Sequence, residues 1–202
     1  MLTKADIKQY ATRLAPFRGV FIFIVVMMAA NWFWKIFVQD GNYDTDVRFL
    51  GINITGPFIF EQKEIIRVVS LVFELFNVPF AITHGTMFEF ANRQSSEIAW
   101  GCTGIKQAFI FACIIAFSRG PWKHKWWYIL AGLLVVHMVN VLRITVVGVV
   151  LSHDPEAFEI VHSYFFKYIF YLIIFLMWVM WEEYFFKKSL KKAEKTGATA
   201  NQ

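Results

Sequence analysis

The chain has 202 residues, of which 57% are apolar, 19% aromatic and only 17% charged. A soluble domain carries about 25% charged residues, so this composition excludes the ordinary water-soluble class, and it equally excludes a disordered chain or a disulfide scaffold. The net charge is +5, but the basic residues lie in blocks beside apolar stretches. Such blocks are typical of topology signals and argue against a nucleic-acid partner. The sequence therefore indicates an integral membrane protein.

Four apolar stretches are predicted to cross the lipid bilayer as helices, since a crossing needs roughly 20 mostly apolar residues. They are residues 19–38, 102–118, 126–151 and 160–181. The second stretch is short and carries Lys106 near its start, but the long stem of a lysine can bring its charge to the interface. The predicted fold is all-α, a polytopic transmembrane helix bundle in which residues 1–202 form a single integral membrane domain.

The segment 65–82 is apolar enough to resemble a fifth crossing. It carries Arg67, Ser70, Glu74 and Asn77, however, which follow each other at helical spacing and form one polar stripe. We therefore predict an amphipathic helix that lies on the outer side of the membrane or packs against the bundle.

The distribution of charge predicts the topology. Most basic residues fall in segments 1–18, 119–125 and 182–202, which the positive-inside rule assigns to the cytoplasm. Residues 39–101 hold more acidic than basic side chains and are predicted to be extracytoplasmic, with a short β-hairpin within 39–63. These assignments predict a multi-pass protein of the inner (cytoplasmic) membrane with both termini in the cytoplasm.

Arg143 is the most unusual polar residue of the predicted spans. It lies roughly 12 Å before the outer end of its helix, too deep for easy escape to water, and it should face the bundle interior. His137 and Asn140 precede it at intervals of three, so the three side chains share one side of the helix as a polar seam. The seam either joins helices by hydrogen bonds or belongs to a functional site.

Cys102 is the candidate nucleophile. We expect it at the amino terminus of its helix, with Lys106 one turn further on, and both features favour a thiolate. Gly101 and Gly104 flank the cysteine and leave room for a peptide to approach. Cys113 lies roughly 16 Å away along the same helix, too far for a disulfide. The sequence has no cysteine–histidine cluster at zinc-ligand spacing, and we predict no metal and no cofactor.

Three residues from three different spans should meet in the outer half of the bilayer. They are Cys102, Arg143 and His162, which opens the last helix. A thiol that attacks, an imidazole that moves protons and a guanidinium that stabilises an oxyanion form a complete set for acyl transfer. Glu159 lies three residues before His162 and either orients its ring or is a solvated residue of the first turn.

The stretches SEIAWGCTGIKQ, NVLRI and IVHSYF, in that order, make the chain resemble the exosortase/archaeosortase family of membrane-embedded cysteine transpeptidases. The resemblance implies that Cys102 is the nucleophile, with Arg143 and His162 as its partners. Lys106 stands where family members often carry a basic residue.

The same resemblance implies membrane-anchored substrates, namely secreted proteins with a carboxyl-terminal sorting signal that the enzyme cleaves at the outer face and passes to an unidentified acceptor. The chain is shorter than the better-known members. From the residues alone, a non-enzymatic membrane carrier or assembly scaffold that uses the seam of His137, Asn140 and Arg143 is the alternative.

Overall fold

The computed structural model describes residues 18–39, 46–158 and 165–189. Five α-helices lie in these ranges: α1 (Arg18–Phe37), α2 (Thr55–Leu75), α3 (Ile105–Phe117), α4 (Trp122–His153) and α5 (Phe166–Trp181). Two small antiparallel sheets accompany them. The first contains β1 (Val38–Gln39), β2 (Arg48–Phe49) and β3 (Ile52–Asn53), and the second contains β4 (Phe80–Thr83), β5 (Met87–Phe90) and β6 (Ser95–Glu97).

Three helical segments of the described ranges are long and apolar enough to cross a membrane: α1, α4 and residues Phe166–Ser189, which extend α5 through a π-helical turn. The predicted span 102–118 contains the shorter helix α3, whose 13 residues reach roughly 20 Å. The helix starts only at Ile105 because Gly104 adopts a left-handed backbone, with φ at 78°. The chain is thus a mostly helical membrane protein.

Helices α1, α3, α4 and α5 pack around one apolar core. Its most buried members are Phe111, Ile114 and Ile115 of α3 together with Ile174 and Trp181 on the α5 side. Helices α1 and α3 run antiparallel, because the late residues Phe33 and Trp34 of α1 contact Phe109, near the start of α3. We refer to these four helices as the bundle.

One end of the bundle gathers basic segments, and we call it the basic end. There Arg119 pairs with Glu182 at 3.5 Å, and the indole of Trp181 donates a hydrogen bond of 2.8 Å to the carbonyl of Arg119. Gly19 lies against the Arg119 guanidinium, since an added Cβ would come within 3.2 Å of it. The start of α1, the turn between α3 and α4, and the end of α5 therefore meet at the same level.

Helix α4 is too long for the bundle alone. Its 32 residues reach roughly 48 Å, whereas the 20 residues of α1 reach roughly 30 Å. Helix α2 runs beside its later part in the same direction, because Glu61 contacts His137 and Phe73 lies against Gly148. The sheet β4–β6 covers α2 through a second apolar cluster. We call α2, this sheet and residues 141–153 the cap.

The amphipathic helix predicted for 65–82 exists, but its limits differ. Helix α2 begins at Thr55 and ends at Leu75, where Asn77 with φ at 53° and Pro79 stop it. The stripe residues Arg67 and Glu74 are exposed as expected, and the opposite face is buried. The end of the predicted helix is instead strand β4.

The predicted hairpin is present as β2 and β3, which pair antiparallel around a turn at Leu50 and Gly51. The rest of the segment is different, because residues 55–63 belong to α2. The second sheet was not expected. Its only sequence signal is the alternation in β5, where Phe88 and Phe90 are buried and Glu89 is exposed.

Close packing of α3 against α4 depends on Gly132. A Cβ at this position would overlap the ring of Phe111, which is fully buried and has no room to move. We expect Gly132→Ala to lower the free energy of unfolding by about 1–3 kcal/mol, measured as a lower thermal midpoint in detergent micelles. Gly56→Ala is the matched control, since an added Cβ there meets nothing within 4 Å. An unchanged midpoint for Gly132→Ala would contradict this packing.

Candidate active site

Cys102 lies in a short 3₁₀ turn, Trp100–Cys102, between strand β6 and helix α3. The backbone N–H of Cys102 donates to the carbonyl of Ala99 at 2.8 Å, and the hydroxyl of buried Thr103 donates to the carbonyl of Trp100 at 2.7 Å. The turn is therefore defined by hydrogen bonds among its own residues and their immediate neighbours. The cysteine is half-buried.

Helix α2 holds the entry to this turn. The amide of buried Gln62 donates a hydrogen bond to the carbonyl of Ile98, two residues before the turn. The ring of Phe58 meets the indole of Trp100 edge-on, with centroids 6.2 Å apart and planes at 82°. One polar and one aromatic contact thus fix the turn to the cap.

Helix α4 holds the turn from the other side. Asn140 is fully buried, and its amide Nδ2 donates a 2.8 Å hydrogen bond to the carbonyl of Cys102. Gly104 allows this approach, because an added Cβ there would come within 3.0 Å of the Asn140 side chain. The left-handed backbone of Gly104 also lets α3 start in a new direction. Asn140 is therefore hydrogen-bonded to the backbone of the predicted nucleophile.

Arg143 follows Asn140 by one helical turn and is only 9% exposed. Its guanidinium carbon lies 5.9 Å from the ring centroid of Phe170 in α5, a cation–π contact. The next residue, Ile144, belongs to the same apolar cluster as Cys102. The turn of Cys102 and the helix that carries Asn140 and Arg143 thus meet where the bundle meets the cap.

Two buried polar atoms of this region have no hydrogen-bond partner among the described residues: Oδ1 of Asn140 and Nε of Arg143. Such atoms are rare in folded proteins because each costs about 1–3 kcal/mol. Both atoms lie one helical turn apart on the helix that holds the Cys102 turn, so each is available to a further hydrogen-bond partner.

The other predicted site residues have different outcomes. His162 and Glu159 lie outside the described residues. Lys106 is half-buried in the first turn of α3. Cys102 does not open that helix as expected, because the helix begins three residues later. Cys102 and Lys106 therefore do not share one helical face as predicted, because Cys102 lies in the turn before the helix.

The sequence analysis missed Glu61. Its carboxylate oxygen Oε1 lies 2.6 Å from Nδ1 of His137, so the first residue of the predicted seam contacts α2. The sequence does carry one signal for this helix. Phe58 and Gln62, which are buried in α2, are four residues apart, and this helical spacing favours a helix over a loop for residues 55–63. In the described ranges, no three histidine, cysteine or acidic side chains lie close enough to hold a metal ion.

The model of the transmembrane exosortase family matches residues 52–180, well over half of the chain. The chain therefore belongs to the transmembrane exosortase family, whose members are membrane cysteine transpeptidases. The match begins with strand β3, so it includes α2 and the sheet of the cap as well as the stretch that carries the resemblance. No curated protein and no solved structure matches the chain significantly.

The junction between Gly104 and Asn140 gives a direct test of the site. We expect Gly104→Ala to destabilise the protein and to change the alkylation rate of Cys102, because it adds backbone strain and displaces the Asn140 amide. Gly85→Ala is the matched control, since Gly85 has a similar φ of 75° but open space around it. Measurements are the thermal midpoint in detergent and the rate of modification by a maleimide. Equal effects of the two variants would contradict a specific role for the junction.

Proposed function

We propose that this chain is a membrane-embedded cysteine transpeptidase that cleaves carboxyl-terminal sorting signals of secreted proteins at the extracytoplasmic face and transfers them to an acceptor. One observation supports the proposal most: Asn140, whose buried amide bonds the turn that carries Cys102, and Arg143, one helical turn further along α4, each have a buried polar atom without a partner in the described part of the chain. Family membership supports the same class of reaction.

In the first step the Cys102 thiolate attacks the scissile carbonyl of the substrate. The carbonyl carbon becomes tetrahedral, and its oxygen takes the negative charge. Arg143 is suited to stabilise this oxyanion, because a fixed cation in a water-poor site needs little reorganisation when the charge appears. His162 has the chemistry to take the thiol proton and deliver it to the leaving amine.

The membrane orientation is part of the same proposal. The basic end would face the cytoplasm, and the cap would face the outside with the active site just beneath it. A sorting signal with a spanning helix and a basic tail then fits beside the bundle in the same orientation, its motif at the level of Cys102 and its tail at the basic end.

The alternative predicted from the sequence was a carrier or scaffold that uses the polar seam. Two seam residues bond other parts of the chain, Asn140 to the turn of Cys102 and His137 to Glu61, rather than leaving a continuous polar path. We therefore favour the enzyme, and the reactivity of Cys102 distinguishes the two.

Cys102→Ala should abolish processing of a reporter that carries a sorting signal from the same cell, while the protein still inserts into the membrane. The reason is that the thioester of the proposed reaction forms on the Cys102 sulfur. Immunoblots of reporter and enzyme in membrane fractions measure both. Cys113→Ala is the control, since Cys113 lines an apolar cleft between α1 and α3. Full processing by Cys102→Ala would disprove the nucleophile assignment.

Arg143→Gln should lower the processing rate by about 10²-fold or more, the usual cost of a lost oxyanion donor. Arg143→Lys keeps the charge but not the planar group and should be partly active. Since a buried charge also affects folding, enzyme abundance in the membrane is measured beside activity. If Arg143→Gln is normally abundant and processes the reporter at the wild-type rate, Arg143 has no part in the chemistry.

A further inference from the structure

A second polar cluster lies on the bundle side of the active site and is not used by the reaction described above. It consists of Glu61 on α2 and His137 on α4, whose side chains are 24% and 28% exposed. They border a cavity of about 200 Å³. A cavity of this size holds several non-hydrogen atoms, or a few water molecules at roughly 30 Å³ each.

The cavity is next to the proposed nucleophile. Thr103 and Gly104, which follow Cys102 directly, line it together with Ala108 of α3. Asn140, which bonds the Cys102 carbonyl, contacts Gly104. The two residues that directly follow Cys102 thus form part of the cavity wall.

The contact between Glu61 and His137 is not required to hold α2 beside the turn of Cys102. Helix α2 is already fixed beside the turn by Gln62 and Phe58. His137 lies near the middle of α4, where an ionisable side chain is costly unless it is paired or has a function. A carboxylate that accepts a hydrogen bond from Nδ1–H of a histidine fixes the tautomer and leaves Nε2 to accept a proton. This is the arrangement of a general base.

We propose that the cavity binds the nucleophilic group of the acyl acceptor, an N–H or O–H compound, and that His137, oriented by Glu61, removes its proton. This inference rests on the proposed function and assigns the second half of that reaction. His137 is then a catalytic residue, because it touches the acceptor, and Glu61 is a positioning residue.

The acceptor nitrogen or oxygen forms a bond to the thioester carbonyl carbon while its proton passes to Nε2 of His137. The tetrahedral intermediate collapses, the carbon–sulfur bond breaks and the electron pair leaves with Cys102. The imidazolium then returns its proton to the thiolate or to water, and both groups are ready for another cycle. No redox partner is needed.

The test separates the two half-reactions. Membranes containing the full-length enzyme are mixed with a reporter carrying a sorting signal from the same cell, and the covalent adduct of reporter and enzyme is quenched in acid and followed on gels. We expect His137→Gln and Glu61→Gln to form the adduct at nearly the wild-type rate but to resolve it about 10²-fold more slowly, the usual range for a lost general base. Hydroxylamine, which attacks thioesters without a base, should restore resolution.

Matched controls lie close by. Glu64 is one turn from Glu61 on α2 and pairs with the exposed Arg67, and His153 is exposed at the end of α4. Glu64→Gln and His153→Gln should behave as wild type in both half-reactions. Ala108→Met, which fills the cavity without changing the pair, should also slow resolution, and it serves if the pair variants do not fold.

The outcomes distinguish the two levels of proposal. If the wild-type enzyme forms no adduct at Cys102, the proposed function fails. If the adduct forms and both pair variants and Ala108→Met resolve it at the wild-type rate, only the cavity proposal fails. If the pair variants lose adduct formation and abundance together, and Ala108→Met resolves the adduct normally, the pair is a structural contact and the proposal is overturned. The mass of the released reporter shows whether water or an amine or hydroxyl acceptor was used.

Discussion

The hydrogen bond from Asn140 to the carbonyl of Cys102 is the interaction on which the candidate site depends. It joins a turn to the longest helix of the bundle, and the Asn140 side chain that donates it is fully buried, where an unpaired amide would be costly. A side chain as short as asparagine reaches the turn only because residue 104 has no Cβ. The position of Cys102 is therefore set by a helix 38 residues away in sequence, and Arg143 lies one turn further along that helix.

The difference in length between α4 and α1 explains why the site lies where it does. A helix that extends beyond its neighbours has an apolar face to cover, and α2 with the sheet β4–β6 covers it through Phe73, Phe88 and Phe90. The sheet is held at the far end by Asn92, which donates a hydrogen bond to the carbonyl of Leu151. The turn of Cys102 connects this cap to the bundle. The substrate that we propose is half in lipid and half in water, and we expect its cleavage at such a boundary.

Sequence reasoning predicted the helical bundle because membrane helices have strong signals, whereas the meeting of Cys102, Arg143 and His162 stays a prediction. Apolar length predicts the spans, and a spacing of three residues places Asn140 and Arg143 on one side of α4. It did not predict that α3 would start after Gly104, because a left-handed glycine is a local backbone choice that hydropathy does not reveal. The sheet β4–β6 was not predicted for a related reason, since strands of three or four residues carry too little periodicity. Glu61 was missed because its helix begins with residues that resemble a turn.

Acyl transfer requires two proton movements, one when the thiol attacks and one when the acceptor attacks. A single histidine serves both in many hydrolases, since leaving group and water use the same face of the substrate in turn. In the reaction proposed here, the spanning helix of the substrate lies on the leaving fragment. An acceptor that binds on another side can enter before that fragment has left. Arg143 contacts Phe170 of α5, whereas Glu61 and His137 border a cavity lined by residues of α3. Polar groups on two sides of α4 are what two entrances to the proposed thioester would require.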